Sequence, residues 1–576
     1  MSKNNDAITL LEKNFDIAFA APDGIKKLRE LILSLAMQGK LLPQDANDQP
    51  ASELLKEIMA EKSRLVKDGK IKASKPLPEI KPDEVPYDLL KGWEWVRLGD
   101  IIFDAKTGID KGKEFQSESN EYPYFKMNNI SNFGYCDFSN VSRINYEGED
   151  YKKHVLRDGD FLFNTRNSKE LVGKTCIFQS PNNELWFFNN NILRIEFFDS
   201  IEKYFANFWF LSRLGKIELE KLKSATTNVA AIYQGKLLLF PIPIPSLAEQ
   251  RRIVSKIDEL MARCDELENL KAECNQKQIT VHRSTLNRLL IAKDHSEFKT
   301  LWRFITQHFG ELYSVKENVA ELRKAILQLA VMGKLVSQDN NDQPASELLK
   351  AIEAEKNRLV KEGKIKKPKL LPVIEDKEIS FDLPNSWKWV RLGDITSKIT
   401  DGDHQTPPRI LEGYRLLSAK NVRNGYLDFD NCDFISEENY LKSRERCCPE
   451  FNDLLIVSVG GTIGRTSLIP ENSFFALVRS VALIKPLLIN SSYLKYSMDS
   501  RLLQDSIHMR KRGGAQPCLY LSEIEMFPFS LPPLAEQHRI VAKIDQLMTL
   551  CDELEKQIDA AESKQTNLLN SMMTKV

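Results

Sequence analysis

The sequence predicts an α+β protein built twice, with two similar mixed α/β units each leading into a long coiled-coil helix. Three observations predict it. LAEQRRIVSKIDELMARCDELE at residues 247–268 returns as LAEQHRIVAKIDQLMTLCDELE at residues 534–555, a shift of 287 (534 − 247). LRELILSLAMQGKLL at residues 28–42 returns as LRKAILQLAVMGKLV at residues 322–336, a shift of 294 (322 − 28). The second shift also carries NDQPASELLK (47–56) onto 341–350 and GWEWVRLGDI (92–101) onto SWKWVRLGDI (386–395). Self-similarity on this scale fixes the architecture before any local reading. The shifts differ by seven residues, so the repeated stretches are a frame and the stretches between them differ in length.

Residues 1–24 are polar and irregular and read as a loosely held arm. Ile25, Leu28, Leu31, Ile32 and Leu35 then fall at three- and four-residue steps, one apolar helical stripe, with Gly39 as its stop. Asp48 and Pro50 announce a second helix through Leu54, Leu55, Ile58 and Leu65, ended by Gly69. The Lys- and Pro-rich run KIKASKPLPEIKPDEVP (70–86) reads as a stiff extended connector. From Trp93 to about Phe240 the pattern is mixed, with strand-like runs at 160–165 and 193–198 and one helix expected over 201–223. FPIPIPSLAEQ stops regular structure and starts the long helix, and Ser246 and Glu249 have capping-box spacing, although Pro533 replaces the serine in the second copy.

Along that helix Ile253, Ile257, Leu260, Cys264 and Leu267 step by four, three, four and three, and Ile540, Ile544, Leu547, Cys551 and Leu554 repeat the pattern. This is the a/d spacing of a coiled-coil seam, and two such helices can bury their seams on each other. Forty helical residues extend about 60 Å. The organisation is then an arm (1–24), a helical frame with its connector (25–91), a mixed unit (92–245), a long helix with a central helical region (246–318), a second frame (319–385), a second mixed unit (386–532) and a closing long helix (533–576).

Lys+Arg and Asp+Glu both total 81, so net charge points to no particular partner and excludes none. No secretory leader pattern opens the sequence and no apolar run nears the roughly 20 residues of a membrane span, which sets the expectation of a cytoplasmic protein with no membrane partner. The nine cysteines are scattered without a CxxC pair and read as reduced thiols, Cys264 and Cys551 as packing residues.

No catalytic constellation stands out. VGKT at 172–175 suggests a phosphate loop, but the required earlier glycine is Ser168. GGTIG at 460–464 lacks dinucleotide spacing and reads as a tight turn. There is no HExxH, no metal-ligand cysteine spacing and no Asn-Pro-Pro-Tyr methyltransferase signature; no catalytic residue, cofactor site or metal site is assigned. What remains is a set of basic, amide-rich loops. In the first mixed unit these carry Lys106, Thr107, Lys111 and Lys113; Lys126, Asn128 and Asn129; Arg166, Asn167 and Lys169; and Lys223, Thr226, Thr227 and Asn228. In the second they carry His404, Gln405, Thr406 and Arg409; Lys420, Asn421, Arg423 and Asn424; Arg465; and Arg510, Lys511, Arg512 and Gln516. Arg and Lys read guanine edges, Asn and Gln read adenine, and the same groups bind phosphate; for any one group a solvated loop is the plainer reading.

The paired Trp-x-Trp-Val-Arg-Leu-Gly-Asp-Ile segments, the Gly-Tyr-x-Asp-Phe segments (134–138 and 425–429), the Pro-rich exits and the paired LAEQxRIVxKID helices resemble the specificity subunit of a type I restriction-modification enzyme over nearly the whole chain. NDQPASELLK resembles the type IB group. The resemblance implies two target recognition domains separated by a pair of long antiparallel coiled-coil helices, with a pseudo-two-fold internal repeat. It implies a non-catalytic subunit whose domains each read one half of a bipartite, asymmetric duplex DNA target. Two methyltransferase subunits would dock on the repeated frame and methylate adenine-N6 with S-adenosylmethionine, and restriction subunits bound through them would bring ATP, Mg and cleavage. The reading from a different class is a coiled-coil scaffold that binds proteins and no bases.

Overall fold

The computed structural model describes residues 20–72, 76–148, 151–225, 229–292, 294–379, 381–513 and 517–573. Most of the N-terminal arm, together with Thr226, Thr227, Asn228 and Gln516, lies outside the described residues. The chain divides into two units, Met1–Ala272 with Ala561–Val576, and Glu273–Ala560. Neither long helix, Leu247–Ile291 or Leu534–Met573, therefore belongs wholly to one unit.

The first unit begins with the frame helices Gly24–Met37 and Ala51–Lys67. Pro50, with φ −65° and ψ 150°, holds the extended turn from which the second starts. Gly39 takes φ +68° after the first, and a Cβ there would lie 2.5 Å from Leu90 Cδ1, so glycine meets both a left-handed backbone and a close neighbour. The chain then enters the mixed domain through Glu94–Arg97 and leaves it through Pro241–Ile244, and these strands pair antiparallel with Glu94 opposite Ile244. The domain's two ends thus lie side by side.

Inside the domain a four-stranded antiparallel sheet runs Ile102–Thr107, Ile192–Phe197, Phe161–Asn164, Thr175–Ile177. Phe161–Asn164 is buried throughout, which is why its sequence lacks polar alternation. A second sheet places Tyr122–Phe125 between Ser142–Ile144 (antiparallel) and Phe187–Phe188 (parallel). Ser224–Ala225, Ala230–Ala231 and Arg166–Asn167 form a small third sheet.

The single helix expected over 201–223 is two helices, Lys203–Leu211 and Arg213–Leu222. Ser212 breaks it with ψ 156°; its hydroxyl donates to Trp209 O (2.7 Å) and accepts from Gly215 N (3.0 Å). A Cβ on Gly215 would lie 1.9 Å from Trp209 O, so only glycine lets the second helix start so near the end of the first. Ser500 breaks the second unit's helix in the same place, with ψ 154° between Ser491–Asp499 and Arg501–Arg510; its hydroxyl donates to Ser497 O (2.6 Å) but makes no cap bond to the following helix.

The second unit repeats this plan. Frame helices Lys316–Val331 and Ala345–Lys361 lead to Lys388–Arg391, which pairs with Pro528–Leu531. Its main sheet runs Thr396–Asp401, Val481–Pro486, Leu454–Val457, Thr466–Leu468, and its second sheet places Tyr414–Leu417 between Asp433–Ile435 and Phe475–Leu477.

The apolar face that the coiled-coil spacing marks on each long helix is packed within its own unit. Ile253, Ile257 and Cys264 lie in one core with Ile25 and Ile32 of the first frame helix, with Leu260 half-buried against it, and Leu267 is half-buried. Arg29 crosses the junction to Asp265 (2.7 Å) and Glu268 (2.8 Å). Ile540, Ile544 and Cys551 lie with Ala325, Ile326 and Leu329, flanked by Leu547 and Leu554, and Arg323 reaches Asp552 (2.6 Å) and Glu555 (3.2 Å). Within each unit, the seam packs against that unit's own frame helix. Heptad spacing identifies an apolar face but not the element that fills it.

Burial fades along the first long helix, where Ala272–Lys277 are exposed, and returns where Leu286 and Leu289 join the second unit's core. There His282 bonds Tyr313 (Nε2 to Oη, 2.9 Å), and burial holds its imidazole down to about 4. The far end of the second long helix places Leu569 and Met572 against Ala21 in the first unit.

Glu378 gives a pH test. Its hydrogen bonds from Arg391 hold the carboxyl down to about 2, against an ordinary 4.5. A depressed carboxyl binds its proton more readily in the unfolded chain, so its contribution is complete above about pH 4.5 and lost as pH falls toward 2. The urea midpoint of the native chain is expected to exceed that of Glu378→Gln at neutral pH, and the gap to close across that window.

Candidate nucleic-acid interface

Each mixed domain presents its polar loops from equivalent points of the scaffold. Gly108 and Gly402 end the first strand of the two main sheets, and a Cβ on either would lie 2.0 Å from a carbonyl oxygen, that of Phe188 or Leu477. The first loops start from this close approach. In the first domain, Lys106 and Thr107 are exposed and Lys106 pairs with Asp104. Lys111 lies over the Phe115 ring (5.6 Å) and Lys113 is exposed. In the second, His404, Gln405, Thr406 and Arg409 are exposed. His404 and Arg446 both reach Asp401, at 3.0 and 2.6 Å.

The second loops show why amides cannot be assigned from sequence alone. Asn129 is fully buried; Oδ1 accepts from Lys126 N (2.9 Å) and Nδ2 donates to Asp137 O (2.8 Å) and Asn140 O (2.9 Å). Asn421 is buried too; Oδ1 accepts from Ser418 N (3.0 Å) and Nδ2 donates to Asp428 O (2.9 Å) and Asn431 O (3.1 Å). Both were expected to contact DNA; both are clamps that shape the loop, with their hydrogen-bonding capacity spent inside it. Asn128 and Asn424 beside them are exposed. Lys126 is half-buried on Gln116 Oε1 (3.0 Å) and Ser142 Oγ (2.7 Å), and burial, with Lys113 nearby, lowers its pKa. Lys420 and Arg409 share Asp433 (3.4 and 3.1 Å), and Arg423 faces Asp428 (3.4 Å).

The remaining groups come together in part. Arg166 and Lys169 are exposed and Asn167 half-buried, on the strand that pairs with Ala230–Ala231. Lys223 is 11% exposed and donates to Lys169 O (2.7 Å), so it braces that loop rather than facing outward. Arg510 is similarly tied, to Glu378 (3.2 Å) and Glu523 (3.4 Å), whereas Arg512 and Lys511 are exposed, Arg512 on Glu523 (2.7 Å). Arg465 is half-buried beside the Gly464 turn. The sequence reading left out exposed aromatic rings: Phe133 and Tyr135 in the first domain and Tyr426 in the second. Their signal in the sequence is the shared Gly-Tyr segment at 134–135 and 425–426.

Among the described residues no group of three or more His, Cys, Asp or Glu could hold a metal ion, and no helix is long and apolar enough to cross a membrane. One scaffold carried twice, with cations and amides on loops that differ between copies, defines a duplicated binding protein. The sequence profile described as "Type I restriction modification DNA specificity domain" matches residues 90–275 and 384–561. The chain is 36% identical to the type I restriction enzyme EcoAI specificity subunit of Escherichia coli over 95% of this chain and 93% of that one. It is 33% identical to the EcoEI specificity subunit of the same organism, with the same coverage. A solved HsdS subunit from Thermoanaerobacter tengcongensis is 18% identical, with a TM-score of 0.41 over 85% of this chain and 98% of that one. The chain belongs to the family of type I restriction-modification DNA specificity subunits.

The clamp assignment predicts opposite outcomes for neighbouring amides. Asn129→Ala removes the buried side chain that bonds the Lys126 amide and the Asp137 and Asn140 carbonyls, and is expected to cost on the order of 1–3 kcal/mol of unfolding free energy in denaturant titration. Asn128→Ala is expected to stay within about 0.5 kcal/mol of the native chain.

Proposed function

We propose that this chain is the non-catalytic DNA-reading subunit of a type I restriction-modification complex, with residues 92–245 and 386–532 each reading one half of a bipartite duplex target. The observation that carries this is the division of labour within the repeat. The frame, the entry and exit strands and the loop clamps recur, while the exposed cations and amides differ. A protein that meets the same partner twice needs a repeated frame; one that reads two different half-sites needs unlike loops. The exposed members of the loop sets, Lys106, Thr107, Lys113, Asn128, Arg166 and Lys169 in one domain and His404, Gln405, Thr406, Arg409, Lys420, Asn424, Lys511 and Arg512 in the other, together with the half-buried Lys111, are the proposed DNA contacts. Arg and Lys suit guanine edges and phosphates, and Asn and Gln suit adenine.

Two methyltransferase subunits are assigned to the repeated frame. They would supply S-adenosylmethionine and the pocket for the target adenine, and restriction subunits bound through them would supply ATP-driven cleavage with Mg. The chain's own share is recognition and assembly, inside the cytoplasm of a bacterial or archaeal cell. The long helices would set the distance between half-sites; about one duplex turn, roughly 34 Å, lets both domains approach from one face.

Exchanging residues 102–240 for the corresponding stretch of another family member keeps the paired entry and exit strands. Mapping of methylated adenines in cells with the partner subunits is expected to show a change in one half of the target only. An unchanged target, or loss of both halves from an assembled complex, would overturn the proposal. Duplex binding by the assembled complex is expected to weaken steeply with salt and to depend on sequence; assembly without sequence-dependent binding would favour the protein-scaffold reading.

A further inference from the structure

The turn that carries Phe133 and Tyr135 is built to hold two aromatic rings in solvent. Phe133 is 69% exposed and Tyr135 58%, and their rings lie 9° from parallel with centroids 6.4 Å apart. The turn beneath them is fixed. Ser131 Oγ accepts from both Phe133 N (3.2 Å) and Tyr135 N (3.1 Å), and Ser131 N donates to Tyr135 O (3.0 Å). Gly134 takes φ +88° and sits so close to the helix Lys203–Leu211 that a Cβ would lie 2.4 Å from Leu211 Cδ1. Lys174 Nζ donates to Ile130 O at the base of the turn. Two large apolar rings on a rigid turn are costly to leave in water unless something covers them.

The surroundings indicate what covers them. Residues 126–136, KMNNISNFGYC, hold a lysine and the exposed amides Asn128 and Asn132, and the nearest carboxylate in the chain, Asp137, follows at the base of the turn. Hydrogen-bond donors thus outnumber acids beside the rings, a setting that suits a nucleic acid. The second domain keeps the glycine (Gly425, φ +87°) and an exposed tyrosine (Tyr426, 61% exposed), but Asn424 stands where Phe133 does. A partner protein bound alike by both domains would need the ring pair in both; a half-site read by one domain needs it in one. We propose that Phe133 and Tyr135 form a stacking platform for an unstacked base in the half-site read by residues 92–245, and so help to determine the specificity of that domain. This deepens the proposed function and rests on it. Aromatic faces accept any base, so the platform would favour steps that unstack readily, such as pyrimidine–purine steps, and not a single base identity.

The test uses the full chain assembled with its methyltransferase subunits, on duplexes with 2-aminopurine placed singly along the half-site. Because both rings are exposed, Phe133→Ala, Phe133→Leu, Phe133→Trp and Tyr135→Ala are expected to fold normally. The native complex is expected to change the fluorescence of one 2-aminopurine position. Phe133→Ala and Tyr135→Ala are expected to abolish that change and weaken binding by on the order of 10-fold or more. Phe133→Trp should retain both readouts and Phe133→Leu neither, because a stack needs a ring and not merely apolar bulk. Alanine variants that bind and fluoresce like the native complex would overturn the platform. So would loss of assembly with the methyltransferase subunits, which would make the rings a protein contact. If the native complex shows no sequence-selective binding at all, the proposed function fails first, and that result is distinct from either of these.

Discussion

A buried guanidinium in each unit holds together the parts on which the rest is mounted. Arg97 and Arg391 are 4% and 3% exposed. Arg97 donates to Pro78 O (3.2 Å), Glu79 O (3.2 Å), Leu239 O (2.7 Å) and the Glu84 carboxylate (2.9 Å). Arg391 donates to Pro372 O (3.0 Å), Val373 O (3.1 Å), Met526 O (2.8 Å) and the Glu378 carboxylate (2.7 Å). One side chain thus joins the proline-rich strap, the entry strand and the end of the mixed domain. Parts of the strap lie open to solvent: Leu370 is fully exposed and Val373 is 88% exposed. A charge buried this deeply is tolerable only when every donor is satisfied, and a planar fork can reach acceptors on three segments where an ammonium cannot.

With the ends of each mixed domain pinned in this way, the loops between them are free to vary. The fixed points are mostly backbone contacts or single buried polar groups: the carbonyl approach at Gly108 and Gly402, the amide clamps Asn129 and Asn421, and the hydroxyl breaks Ser212 and Ser500. None of these constrains the side chains exposed between them. A scaffold held by its own backbone can change what it displays without losing its shape, as recognition of different targets by one fold requires.

The sequence was legible where a pattern repeats and opaque where one residue type serves two roles. The repeated stretches predicted both frames, both mixed units and both long helices, and the starts of the second frame helices at Pro50 and Pro344 followed from proline's fixed φ. The breaks at Ser212 and Ser500 were not legible, because the apolar periodicity runs straight through them and the break depends on a hydroxyl turned back onto its own helix. The packing of each unit's frame helix on its long helix was not legible either, since a/d spacing is satisfied by any apolar partner. Lys223, Arg510, Asn129 and Asn421 read as outward-facing contacts because composition gives chemistry without direction. Only burial separates Asn129 from Asn128.

The charge balance follows from how these loops are built. Arg409 and Lys420 share Asp433, Arg510 and Arg512 share Glu523, and Lys106 faces Asp104. Each carboxylate holds its cations in place and offsets part of their pull on phosphate. A surface of unopposed lysines would hold any duplex through counterion release, with little regard for sequence. Under the proposed function, a chain with 81 basic and 81 acidic residues is suited to the opposite task. Its non-specific hold on DNA is kept low, its cations are already oriented when a base edge arrives, and discrimination rests on the few donors and rings that fit one half-site.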